Sequence, residues 1–225
     1  MKRLDEVVAG HGLDNLARDR LARLLVLVAA EPSAITTVRD PAQAVDVHLA
    51  DSLAGLDVLR GSPEVADLGS GGGFPGLVLA IALPATRVVL VESVQRKCRF
   101  LEAAAGDLGL GNVEVVCGRA EQLAPERFHV VTARALAALG VLVEYAAPIL
   151  RHDGLLLAWK GRREEEEARD GAAAAAQLGM SEPAWRRVQP YPGVERHLVA
   201  SRKVAPTPPG FPRRPGMATK RPLRA

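Results

Sequence analysis

The feature that most limits the possible folds is a set of short β-branched runs alternating with helical patterns. "VADLGS" (65–70), "RVVLVES" (87–93), "NVEVVCG" (112–118), "HVVTAR" (129–134) and "LLLAWKG" (155–161) read as strands buried on both faces. A helix is expected over Gln95–Leu108, another over Leu136–Leu150, and a surface helix over the Glu164–Glu167 and Ala172–Ala176 run. Strands that alternate with helices make a parallel sheet with right-handed crossovers. "WRRVQPY" and "RHLVASRKV" around Pro192-Gly193 close it as an antiparallel edge hairpin. Asp153-Gly154 reads as a turn before the fifth strand.

Upstream, apolar residues from Leu13 to Val28 and from Val45 to Leu56 recur at helical spacing, broken by "EPSAITTVRDP". The division expected is a helical extension (1–60), an α/β domain (61–205) and a proline-rich tail (206–225), in which six prolines oppose regular helix. At 225 residues and 48% hydrophobic content, one such α/β unit with extensions fits the chain.

"DLGSGGGFPG" (67–76) follows the first strand. A dinucleotide fingerprint counted from Gly69 fails at Phe74, where its third glycine belongs, and no Gly-Lys-Ser/Thr loop is present. Counted from Gly71 the letters match at Gly73 and Gly76, with Pro75 awkwardly inside. Asp67 before Gly69 and Gly71 suits a ligand that carries an ammonium and a sulfonium in place of phosphates, which describes S-adenosylmethionine. Glu92, at the end of the second strand, is placed to accept ribose hydroxyls, as such an acid does in doubly wound nucleotide sites.

Charge is uneven. From Arg202 onward there are seven cations and no acid, so the rest of the chain is net negative. A basic tail on an acidic body suggests a polyanion such as nucleic acid, or only a solubilising terminus. Cys98 and Cys117 have neither metal spacing nor a secretory pattern. They read as buried thiols in a reducing cytoplasm. No stretch reaches the length of a membrane span, and a soluble cytoplasmic protein is expected.

The sequence resembles the bacterial small-subunit ribosomal RNA guanine-N7 methyltransferases (RsmG/GidB). The blocks that carry the likeness run from "SAIT" at Ser33 through "HLADSL" (48–53), "DLGSGGGFPG", "RKCRFL" (96–101), "GRAE" (118–121) and "TARAL" (132–136). "LLAWKG" (156–161), "FPRRPG" (211–216) and "RPL" at Arg221 complete the set. Val47, His129 and Met217 depart from residues common in the family.

The resemblance implies a Rossmann-like S-adenosylmethionine-dependent fold, a mainly parallel seven-stranded sheet with an antiparallel edge and an N-terminal helical extension. It implies methyl transfer to N7 of a guanine in the 530 loop of 16S rRNA, free or within the small subunit or an assembly intermediate. A monomer with no metal is expected. Gly69 and Phe74 would hold the donor, Ala120 and Glu121 its adenine, and Arg134 would lie beside it. The physical reading adds Asp67, Gly71 and Glu92.

Guanine N7 has a lone pair and no proton, so its methylation needs no general base, and no residue is assigned proton transfer. His48 and Asp51, three apart on a helix, would share a face, for packing over the pocket or for substrate contact. Lys160, Arg213, Arg214, Lys220 and Arg221 are candidate phosphate contacts, which position RNA without reading its sequence. Arg96, Lys97 and Arg99 could extend that surface. The alternatives are a methyltransferase for another RNA, for a small molecule or for a protein, and a non-catalytic rRNA-binding assembly factor. An NAD oxidoreductase is disfavoured, because no Tyr-x-x-x-Lys pair exists.

Overall fold

The computed structural model describes residues 2–31, 36, 38 and 40–225. Most of the break at 31–41, and the start of the family-like blocks at Ser33, lie outside the described residues. Two helices open the chain, α1 (Lys2–Gly10) and α2 (Asn15–Ala30). The Asp14 carboxylate accepts the Ala17 N–H at 2.8 Å and caps α2, a contact that stabilises a helix start by about 1 kcal/mol.

Then α3 (Pro41–Ala44), a π-helical segment (Val45–Ala50) and α4 (Asp51–Leu53) run on without a break, and a turn at Ala54-Gly55 leads into α5 (Leu56–Leu59). Pro41 starts this run where its missing N–H costs nothing. The π segment is the part that carries His48.

The sheet comprises β1 (Glu64–Leu68), β2 (Arg87–Glu92), β3 (Val113–Cys117), β4 (Phe128–Arg134), β5 (Leu150–Lys160), β6 (Ala184–Tyr191) and β7 (Val194–Arg202). Its order is β3-β2-β1-β4-β5-β7-β6. The first five strands are parallel, and β7 and β6 add the antiparallel edge. The expected sheet is therefore the observed one. One detail differs: Asp153 and Gly154 lie within β5, where Asp153 takes a positive φ of 61° and the pairing with β4 shifts register.

Alternate residues of β2 serve opposite faces, as the two-residue period requires. Val88 and Leu90 join a core shared with Leu21, Leu24, Leu49, Leu77 and Trp159. Val89 and Val91 join a core with Val131, Leu142 and Leu156. α6 (Gly76–Ala82) and α7 (Gln95–Asp107) contribute to the first core, α8 (Leu139–Ile149) and α9 (Glu165–Gln177) to the second. Every residue of α6 is buried, so it shows no amphipathic stripe from which a helix could be read.

Two expectations need correction. Cys98 and Cys117 are not separate buried thiols: the first turn of α7 meets the end of β3 with a Cα–Cα distance of 5.8 Å, and the two are joined as a disulfide. Cys98 is buried, while Cys117 is exposed. Nor is the tail wholly without helix. The prolines leave 216–221 free, and α10 (Met217–Lys220) forms there. The tail packs back on the body, with Phe211 and Leu223 against the second core.

Candidate active site

In an open parallel sheet the ligand crevice lies beyond the carboxyl ends of the strands where their order reverses. Here that point is between β1 and β4, which end at Leu68 and Arg134. The glycine turn leaves β1 and folds onto itself. Gly69 and Ser70 donate their backbone N–H groups to Val91 O at 2.8 and 3.2 Å. Gly73 and Phe74 donate to Ser70 O, Gly71 to Glu92 Oε2, and Gly76 to Asp67 Oδ2. A turn whose amides are committed this way is not organised to cradle a pyrophosphate.

Gly76 fills the place that the fingerprint reserves for close helix–strand packing. A Cβ there would stand 2.2 Å from Leu90 Cδ2 and 2.7 Å from Asp67 Oδ2. Gly69, at φ +66°, lies under the side chain of Leu136.

Asp67 is 1% exposed. Its Oδ1 accepts from Thr132 Oγ1 at 2.9 Å and its Oδ2 from the Gly76 N–H at 3.2 Å. Burial pushes its pKa up to about 6, against the opposing pull of Thr132 and its other hydrogen-bond donors. Glu92 is also buried, at the end of β2 between Val91 and Ser93. Its oxygens accept from the Gly71 and Val94 N–H groups at 3.0 and 2.8 Å, which fixes the orientation of the carboxylate. Two of its lone-pair sites are thus used.

Beside the turn is a narrow cleft of about 80 Å³, lined by Gly69, Val91, Ser93, Gly118, Ala120 and Glu121, with Leu136 and Tyr145 on its far wall. Gly69, Ala120 and Glu121, expected at the donor, therefore come together. Glu121 Oε1 accepts the Gly216 N–H at 3.0 Å, which brings the tail to the same cleft. Ser93, Gly118 and Leu136 fall within the quoted strand and family-like blocks without being marked there as site residues, and Tyr145 has no signal in the sequence.

Phe74 and Arg134 face away from this cleft, toward the N-terminal helices. The ring of Phe74 stacks on that of His48. Arg134 Nη1 donates to Asp51 Oδ2 and to Val47 O, both at 2.8 Å, and its guanidinium carbon lies 5.5 Å from the Phe74 ring centroid. His48 and Asp51 take different partners around the Phe74–Arg134 pair: His48 meets Phe74 and Thr36, and Asp51 meets Arg134. Burial, aided by the nearby Arg134 charge, lowers the His48 pKa to about 4, so its ring is neutral at pH 7.

Lys160 lies at the end of β5, paired with Glu167 at 2.5 Å and donating to Ala137 O. Arg213 is held in a bidentate pair by Glu144, itself 2% exposed. That pair makes Arg213 a strut of the fold. Arg214, Lys220 and Arg221 are exposed. Among the described residues no cluster of His, Cys, Asp or Glu could hold a metal ion, and no helix is long and apolar enough to cross a membrane.

The fold is that of known methyltransferases. A S-adenosylmethionine-dependent methyltransferase from Aquifex aeolicus superimposes with a TM-score of 0.57 at 18% identity, covering 77% of this chain and 99% of that one. The sequence relatives are nearer. The ribosomal RNA small subunit methyltransferase G of Rubrobacter xylanophilus is 41% identical over 223 residues, 92% of this chain and 85% of the relative. That of Deinococcus radiodurans is 38% identical over 233 residues, 94% of this chain and 90% of the relative. The family model described as rRNA small subunit methyltransferase G matches residues 19–199. With most of its length inside that match, this chain belongs to the rRNA small subunit methyltransferase G family.

Proposed function

We propose that the chain methylates N7 of one guanine in the 530 loop of 16S rRNA, using S-adenosylmethionine, as a cytoplasmic monomer. The observation that carries the donor assignment is the pairing of a self-bonded glycine turn with an oriented carboxylate, Glu92, at the next strand's end. Glu92 would hold the ribose, and Ala120 and Glu121 the adenine. Gly69 leaves room at the turn. Asp67 acts through the turn, by fixing Gly76 and Thr132, since it lies beneath the turn with 1% of its surface exposed. When bound, the donor supplies an activated methyl group on a sulfonium.

The protein's part is to bring the base into line and keep water out, so the rate comes from positioning and electrostatic match. The attacking lone pair of N7 carries no proton, so no side chain needs to accept one. His48, neutral and stacked, is a packing element of the site. Arg214, Lys220 and Arg221 would meet RNA phosphates, whereas Arg213 supports the tail that carries them. The substrate could be free rRNA or an assembling subunit, and the same cations would serve either.

The decisive measurement is the map of N7-methylguanosine in 16S rRNA from cells lacking the gene. Loss of one mark, restored by the wild-type gene and not by Gly69→Asp, is the expected result. An unchanged map would sink the proposal.

A further inference from the structure

Across the β4 exit from the donor cleft is a second, open cleft of about 480 Å³, bounded by Val47, Asp51, Arg134, Trp159, Lys160 and Arg196. Asp51 is 5% exposed there. Its Oδ2 is taken by Arg134 at 2.8 Å. Its backbone carbonyl accepts the Trp159 Nε1–H at 2.8 Å, which fixes the residue in place. Oδ1 is different: it accepts no hydrogen bond from any described residue and has only an ion-pair contact, with Arg196 Nε at 3.3 Å. A buried carboxylate oxygen left without a donor is costly, and native proteins seldom leave one so without a role.

A carboxylate accepts only and a guanidinium donates only. Asp51 Oδ1 with Arg196 beside it therefore offers an acceptor next to a donor. Guanine presents the complement on one edge, N1–H and N2–H₂ donors beside the O6 acceptor. Adenine presents a donor at N6 and an acceptor at N1, which would face Arg196 and Asp51 with the wrong signs. Cytosine has the same mismatch, and uracil has one donor in place of two.

We propose that Asp51 is the specificity residue for the acceptor base: Oδ1 takes the N1–H and N2–H₂ groups of the target guanine while Arg196 donates to O6. This rests on the guanine-N7 reading above. Held by that edge, the base keeps N7 free of hydrogen bonds, as an attacking lone pair must be. Lys160, the other cation on the cleft, is tied to Glu167 and Ala137 O and does not compete for N7.

The test uses the purified full chain and small subunits reconstituted with 16S rRNA that carries either guanosine or inosine at the target. Inosine lacks only the N2 amine. Wild-type kcat/KM should fall between about 10- and 100-fold on inosine, the loss of one hydrogen bond to a charged group. In Asp51→Asn the amide oxygen stays on Arg134, and an N–H₂ donor replaces Oδ1. This variant should be slow on guanosine, with a guanosine-to-inosine ratio near one. Calorimetry should show that its S-adenosylmethionine affinity is unchanged, which reports an intact fold. Equal wild-type rates on both RNAs would overturn the assignment without involving any variant, and so would an Asp51→Asn enzyme that keeps the wild-type ratio. A wild-type enzyme that methylates neither RNA would overturn the guanine-N7 function itself, and Asp51 with it.

Discussion

The ring of His48 lies flat on that of Phe74, with centroids 4.3 Å apart and planes 8° from parallel. This stack joins the π-helical segment to the glycine turn, so the N-terminal helices and the candidate donor site share one contact. Phe74→Ala should cost about 3 kcal/mol, as for other buried aromatic truncations. His48→Phe, which keeps the stacked surface, should cost much less than His48→Ala. Urea unfolding of the three variants measures the difference.

His48 and Asp67 should impose opposite pH dependences on stability. The folded His48 pKa, about 4, lies below its ordinary 6.5, so its contribution is present above 6.5 and lost as pH falls toward 4. The folded Asp67 pKa, about 6, lies above its ordinary 3.8, so its contribution is present below 3.8 and lost as pH rises through 6. Between pH 4 and 6 the two oppose each other. Urea midpoints of Asp67→Asn should therefore rise with pH more steeply than wild type over that window, and those of His48→Phe should fall relative to it.

The buried pair of Arg213 and Glu144 separates structural from RNA-contacting cations in the tail. Arg213→Ala strands a buried carboxylate and should cost about 3–5 kcal/mol. Arg214→Ala, Lys220→Ala and Arg221→Ala should each change stability by less than about 0.5 kcal/mol. Each should instead flatten the plot of log affinity for single-stranded RNA against log salt by about 0.7. Thermal melts and fluorescence titrations across a salt series check both halves.

The Cys98–Cys117 bond closes a short loop that holds most of α7 and all of β3. Dithiothreitol should release two thiols from a protein that shows none before treatment, and should lower stability by about 3 kcal/mol. A Cys98→Ser, Cys117→Ser double variant should match the reduced protein and no longer respond to reductant.

Much of this was legible from the residues. β-branched runs gave the parallel strands, because a strand covered on both faces must be apolar throughout. Glu92 could be placed from its position at a strand end. α6 was not legible, since a helix buried all round carries no period. Nor was the role of Asp67: a strand-end acid looks the same in sequence whether it faces a ligand or lies beneath the turn. The disulfide was hidden because spacing says nothing of whether the first turn of a helix meets the next strand's end. Arg213 and Arg214 are adjacent and chemically alike, and only the fold divides them.

The hydrogen bond from Gly216 to Glu121 has a thermodynamic consequence. Gly216 sits between Arg214 and Lys220 in the chain, and Glu121 lines the candidate donor cleft. On the function proposed above, an RNA that settled the tail on those cations would also settle a wall of that cleft. Linkage then works in both directions: the factor by which RNA tightens donor binding must equal the factor by which donor tightens RNA binding. An enzyme built this way would favour loading its two substrates together over holding either one alone.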